Sequence, residues 1–246
     1  MISTKQTTGI EGDKHMNTRN LIRSAGLAAL VAGILFVVVQ AIHPPDVLAS
    51  VTTARWAIVH ALTFAMCLLL LLGITGIYAR QVSEAGWLGL AGYLLFGLAW
   101  AIQAPYGFIE ALVLPHLATH APTFVESWMG MFNGHPGAIN LGALATVYQV
   151  AGLLYILGGL LFGIATLRAG VLPRRAAGLL AVAAALTPTA ALLSHPLDRI
   201  LALPTGLALA WLGYALWSSG GRTPQSPRPA GEAPSSIQPR SSKVAG

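Results

Sequence analysis

The chain has 246 residues, 55% of them hydrophobic and 9% charged, with a net charge of +6 and a mean hydropathy of +0.68. Soluble domains carry about 25% charged residues, so this composition excludes an ordinary soluble globular protein. The basic residues lie in short segments between apolar runs and form no patch, which excludes a nucleic-acid-binding surface and marks them as membrane topology signals.

Residues 1–20 are polar and are expected to be a disordered cytoplasmic segment, with Met16 a second candidate start. Residues 21–217 hold six apolar runs and are expected to form one transmembrane domain. The first span is expected over Ser24–Ile42. Arg19 and Arg23 before it, and Val47-Leu48-Ala49 after it, also fit a cleaved signal peptide, but the run is longer than a signal core, which favours an uncleaved span. The second span, Trp56–Ala79, has no charge in 24 residues; a bilayer core of about 30 Å needs about 20 helical residues.

The third run, Ala85–Leu114, is 30 residues and meets no charge until Glu110. At about 45 Å it exceeds the bilayer core, so it must tilt, kink at Pro105 or project into water. Residues 115–138 form the longest internal loop. The fourth span is expected over Ile139–Leu167, the fifth over Ala176–Ser194 around Thr187-Pro188-Thr189, and the sixth over Ile200–Trp217. Hydroxyls beside Pro188 can satisfy the backbone it frees. Residues 218–246, rich in Ser, Pro and Gly, read as a disordered cytoplasmic tail.

Six spans with both termini inside place twelve Lys and Arg on the cytoplasmic side and two, Arg55 and Arg199, outside; internal loops alone give four against two. This satisfies the positive-inside rule. Small residues at spacing four (Ala25, Ala29 and Gly33; Gly159 and Gly163) are close-contact faces between helices or between copies of the chain, so a homo-oligomer is a candidate assembly. Cys67, alone in the chain, reads as a small hydrophobe within a span.

Six of the seven histidines fall on the outer side, together with Asp46, Glu110, Glu126 and Asp198. Histidine and carboxylate ligate divalent metals, and histidine titrates near neutral pH. His60 lies one turn inside the second span, where ionisable groups tend to face the bundle interior; the plainer reading is a histidine bonded to a nearby carbonyl. Gln103, Tyr106 and Glu110 share a helical face and read as a ligand-binding lining, set against a solvated carboxylate above the bilayer. His116 and His120, four apart, together with His60 and His195, make up a candidate metal set. His43 and His195 each precede proline and read first as turn residues; Gln40, Tyr148 and Gln149 read first as helix glue. No phosphate-binding glycine loop and no nucleophile-elbow motif is present.

The segment Leu167-Arg168-Ala169-Gly170-Val171-Leu172-Pro173-Arg174-Arg175-Ala176-Ala177, with the preceding Tyr148–Gly163 region, resembles a turn of small bacterial multi-pass inner-membrane proteins of unknown function. The resemblance implies a bacterial plasma membrane and carries over no activity. The sequence therefore predicts an all-α bundle of about six transmembrane helices in contact with lipid. Its expected role is to bind or pass a small ligand, ion or proton at an outer His/Glu-lined mouth. The alternative is a membrane-embedded enzyme using a divalent metal held by the same groups.

Overall fold

A computed structural model describes residues 17–132, 134, 137–193 and 197–219. Among them every regular element is helical. The helices are α1 (Thr18–Ile42), α2 (Leu48–Val51), α3 (Ala54–Arg80), α4 (Val82–Leu112), α5 (Leu114–His120), α6 (Pro122–Phe132), α7 (Ala143–Ala169), α8 (Arg174–Leu186) and α9 (Leu197–Ser219). A 3-10 segment, Thr187–Leu192, follows α8.

Five helices are long and apolar enough to cross a bilayer: α1, α3, α4, α7 and, from Arg199, α9. They are apolar around most of their circumference, so their outward faces are stable only against lipid. The fifth expected span is not one continuous helix. α8 has 13 residues, about 20 Å, and the 3-10 segment adds six residues at about 2 Å each. Together they reach the thickness of a bilayer core. The break falls at Pro188, which cannot donate to the carbonyl four residues back and clashes with it. Thr187 Oγ1 donates to Ala183 O (3.0 Å) and Thr189 Oγ1 to Leu186 O (2.6 Å), so threonine hydroxyls do take up backbone carbonyls around the break.

The kink in α4 is at Gly86 and not at Pro105. Gly86 has φ 56 and ψ −159, while Pro105 sits within regular helix. A positive φ with extended ψ is open mainly to glycine, and it lets the chain leave α3 through Gln81 and re-enter the membrane at Trp87. At the first span, residues 18–20 belong to α1, capped by the Asn17 side chain, which accepts from Arg19 N. The segment after α4 is largely helical, forming α5 and α6. Residues 1–16 and 220–246, expected to be disordered, lie outside the described residues.

Neighbours in the chain are neighbours in space. α1 packs on α3, α3 on α4, α4 on α7, α7 on α8 and α8 on α9, and α9 returns to α1. The result is a closed ring of six up-and-down elements. Small residues set its seams. A Cβ at Gly73 would stand 2.7 Å from Ala29 Cα, one at Gly163 2.7 Å from Ala181 N, and one at Gly213 would meet Leu30 and Ala29. The small-residue faces at Ala29, Gly33, Gly159 and Gly163 are thus packed against other helices of the same chain.

The ring is filled at one end by Phe36, Met66, Leu70, Phe96, Trp100, Phe162, Leu180 and Leu212. At the other end α2, α5 and α6 form a cap around Val51, Trp56, Tyr106, Leu114, Val125 and Trp128. Arg55 and Arg199 lie at the capped end, and Arg80, Arg168, Arg174 and Arg175 at the opposite end.

Candidate functional site

Between the aromatic floor and the cap, the ring encloses a cavity of about 580 Å³. Phe36 and Gln40 of α1, His60 of α3, Gln103 and Glu110 of α4, and Tyr148 and Gln149 of α7 contribute to its wall. Thr187 after α8 and Arg199 of α9 complete the circuit, so every element of the ring reaches the cavity.

His60 and Glu110 form its most constrained pair. His60 is 3% exposed and Glu110 6%. His60 Nδ1 lies 2.8 Å from Trp56 O, the carbonyl four residues earlier. A carbonyl only accepts, so Nδ1 carries the hydrogen and Nε2 is turned to Glu110. Nε2 and Glu110 Oε2 are 3.5 Å apart, within ion-pair reach but longer than the roughly 2.7–3.2 Å of a direct hydrogen bond. The other carboxylate oxygen accepts from Trp128 Nε1 (3.3 Å), and the Glu110 backbone carbonyl accepts from Trp56 Nε1 (2.7 Å). The Trp56 indole also lies against the His60 ring, with centroids 4.0 Å apart. Two tryptophans and a backbone carbonyl therefore hold the two ionisable groups face to face.

A second charged pair closes the neighbouring wall. Arg199 Nη2 lies 2.9 Å from Asp46 Oδ2 and joins the start of α9 to the turn after α1. His43 Nδ1 is 3.9 Å from Asp46 Oδ1, and its ring stands edge-on to His60 at 5.2 Å.

The expected ligand-binding lining is split. Gln103 and Glu110 line the cavity, but Tyr106 is buried and donates from its hydroxyl to Leu144 O (2.8 Å). At about 100° per residue, seven residues return within about 20° of the starting direction, whereas three fall about 60° short. Tyr106 is thereby turned toward Trp128, Phe132 and Tyr148. It ties α4 to the start of α7.

The expected metal set does not assemble among the described residues. His60 is buried in the ring, while His116 and His120 are exposed on α5, where His120 Nδ1 bonds back to His116 O (2.9 Å). His195 lies outside the described residues, as does His135. No group of three or more His, Cys, Asp or Glu gathers at metal-holding range among the described residues.

Several wall residues read differently in the sequence: His43 first as a turn residue and Arg199 as a topology signal. Gln40, Tyr148 and Gln149, expected as helix glue, also face the cavity. The four-residue spacing of Trp56 and His60 was a usable signal, because it places both rings on one face of α3. The Asp46–Arg199 pair spans 153 positions, and no local pattern announces it.

Compared with family models, curated proteins and solved structures, the chain matches none.

Proposed function

We propose that this is a multi-pass protein of a bacterial plasma membrane, with both termini cytoplasmic, that binds a small ligand in an extracytoplasmic cavity beside His60 and Glu110. The observation that carries the reading is the cavity itself. About 580 Å³ falls within the range of small-molecule sites, roughly 300–1,000 Å³. Its wall combines an apolar floor with a few fixed polar groups, the pattern by which such sites orient a ligand. The basic residues, which concentrate at the end away from the cavity, support the orientation. The resemblance of the 167–177 turn supports the bacterial membrane.

The arrangement also suits a site where one proton is exchanged between imidazole and carboxylate, so ligand binding and proton passage are two uses of one geometry. The alternative of a metal-dependent enzyme needs at least three converging ligands, and among the described residues no such group supports it.

Two measurements test the proposal. Glu126, exposed on the cap, and Ser83, exposed at the opposite end, are each replaced by cysteine. A membrane-impermeant thiol reagent is expected to label Glu126→Cys in intact cells and Ser83→Cys only after permeabilisation; the reverse pattern overturns the orientation. In parallel, the full chain is purified in detergent, extracted, and examined by mass spectrometry beside Gln103→Leu and Glu110→Gln. A small molecule retained by the wild type and lost from both variants supports the cavity as a ligand site. Nothing retained, or equal retention in all three, overturns it.

A further inference from the structure

The seam between α7 and α8 is closed at one end and open at the other. Gly163 of α7 is held against Ala181 of α8, and a Cβ at Gly159 would stand 3.0 Å from Ala184 Cβ. Four positions before Gly159, Tyr155 bridges to α9 through Thr205 Oγ1 (3.0 Å); the next glycine on this face of α7 is Gly152, seven positions before Gly159 and about 20° away in direction. Among the described residues nothing lies within 4 Å of its Cβ position.

The reason is the break at Pro188. Beyond Leu186 the partner of α7 is no longer an α-helix but the 3-10 segment, which packs on α9 and on the end of α8. The burial of α7 changes at the same height. From Gly158 onward it contributes Gly158, Gly159, Phe162, Gly163, Ala165 and Thr166 to the interior, but before that only Ala151. Gln149 and Gly152 are exposed and also line the cavity. A gap between adjacent members of a ring faces outward. Counting from Ala143, Gln149 and Gly152 lie about 9 and 14 Å along α7, within the half of the bilayer nearest the cap. The opening therefore faces hydrocarbon.

The wall chemistry restricts what enters. The ionisable side chains around the cavity face one another as Asp46 with Arg199 and His60 with Glu110, so it presents no unmatched fixed charge among the described residues. Among the described residues, Trp100 Nε1, a donor on a residue 5% exposed, and Gln40 Oε1, an acceptor, meet no hydrogen-bond partner. Buried polar groups of this kind ordinarily find a partner. A hydroxyl can serve both, and a carbonyl the first.

Resting on the cavity being a ligand site, we propose that its ligand is an uncharged, membrane-soluble molecule with a hydroxyl or carbonyl at its polar end. The molecule passes sideways from the bilayer between α7 and the 3-10 segment, past Gly152, and its polar end reaches Trp100 and Gln40 while its apolar body remains in the seam.

The test uses the full chain in phosphatidylcholine vesicles and a long-chain alcohol carrying a photoactivatable diazirine. Adducts located by mass spectrometry are expected to concentrate on residues 149–156, Thr187 and the cavity wall. The matched long-chain carboxylate and ammonium probes should label these positions less. Gly152→Trp, which fills open space, is expected to lower labelling of the cavity wall by roughly tenfold, the change that about 1.4 kcal/mol of lost binding produces. Gly178→Trp, at another open position on α8 near the opposite end, should leave it unchanged. Trp100→Phe removes the donor while keeping an aromatic ring, and should weaken labelling by the alcohol more than by the charged probes. Adducts spread evenly over the lipid-facing surface, a preference for a charged probe, or cavity labelling insensitive to Gly152→Trp overturns the proposal. If extraction still yields a molecule lost from Gln103→Leu and Glu110→Gln, the cavity remains a ligand site and only its lateral route and ligand class fall.

Discussion

The α4–α7 seam gives a quantitative test of the packing that holds the ring closed. In Gly92→Ala the new Cβ would meet the Phe162 backbone nitrogen and stand 2.7 Å from Phe162 Cα, against about 3.4 Å for ordinary contact. The obstacle is backbone, not the end of a flexible side chain, so the two helices must part by about 0.7 Å or more along this stretch. Overpacking of this kind costs about 1–3 kcal/mol. Gly97→Ala, on the same helix, adds the same methyl where nothing lies within 4 Å among the described residues. It should be neutral or stabilise by up to about 0.5–1 kcal/mol, the usual gain from removing a glycine inside a helix. That gain shrinks if the unfolded reference state keeps its helices, which makes zero the safer expectation. The two variants should therefore differ by about 1–3 kcal/mol. Unfolding in mixed micelles by titration with dodecyl sulfate, followed by near-UV circular dichroism, measures the difference. Equal stabilities within about 0.5 kcal/mol, a typical scatter for substitutions that touch nothing critical, would refute the seam as described.

Three further expectations follow from the same geometry. Glu110→Ala leaves Trp128 Nε1 and His60 Nε2 facing an empty space and should lose about 1–3 kcal/mol for each stranded group, whereas Glu110→Gln keeps an acceptor for Trp128 and offers N–H to His60 and should lose less than half as much; the same micelle titration reads both. A double-mutant cycle of Asp46→Asn and Arg199→Ala should give a coupling near ~1 kcal/mol, since the pair is neither buried nor fully solvated, and a coupling indistinguishable from zero would remove this tie between α9 and the turn after α1. At the opposite end Gln81, fully buried, donates from Nε2 to Thr166 Oγ1 at 2.7 Å. Gln81→Leu alone should destabilise by about 1–2 kcal/mol, and adding Thr166→Val should recover part of the loss; a double variant weaker than the single would contradict the proposed link.

How much of this was readable in the sequence depended on whether the cause was local. Span positions were readable because a bilayer imposes one condition on every residue of a run, and α1, α3, α4, α7 and α9 satisfy it without reference to any neighbour. His60 was readable for the same reason, as a titratable group where such groups are costly. The position of the kink in α4 was not. Proline is the usual place to expect one, but the kink came at Gly86, where the chain has to reverse after α3, while Pro105 was accommodated within the helix.

Tyr106 shows the limit of periodicity as a guide. Its spacing from Glu110 places both side chains on one side of α4, but which side meets the cavity and which meets the cap is decided by α6 and α7, elements 20 to 40 positions away. The open seam is harder still to anticipate. Gly159 and Gly163 read as a contact face in the sequence, and Gly152, seven positions before Gly159, lies on the same side of the helix. Their difference arises from Pro188, far along the chain, which ends α8 and withdraws its partner face from Gly152 while leaving Gly159 and Gly163 packed. A stripe of small residues thus says where a helix can be approached closely; only the partner's own breaks decide where it is.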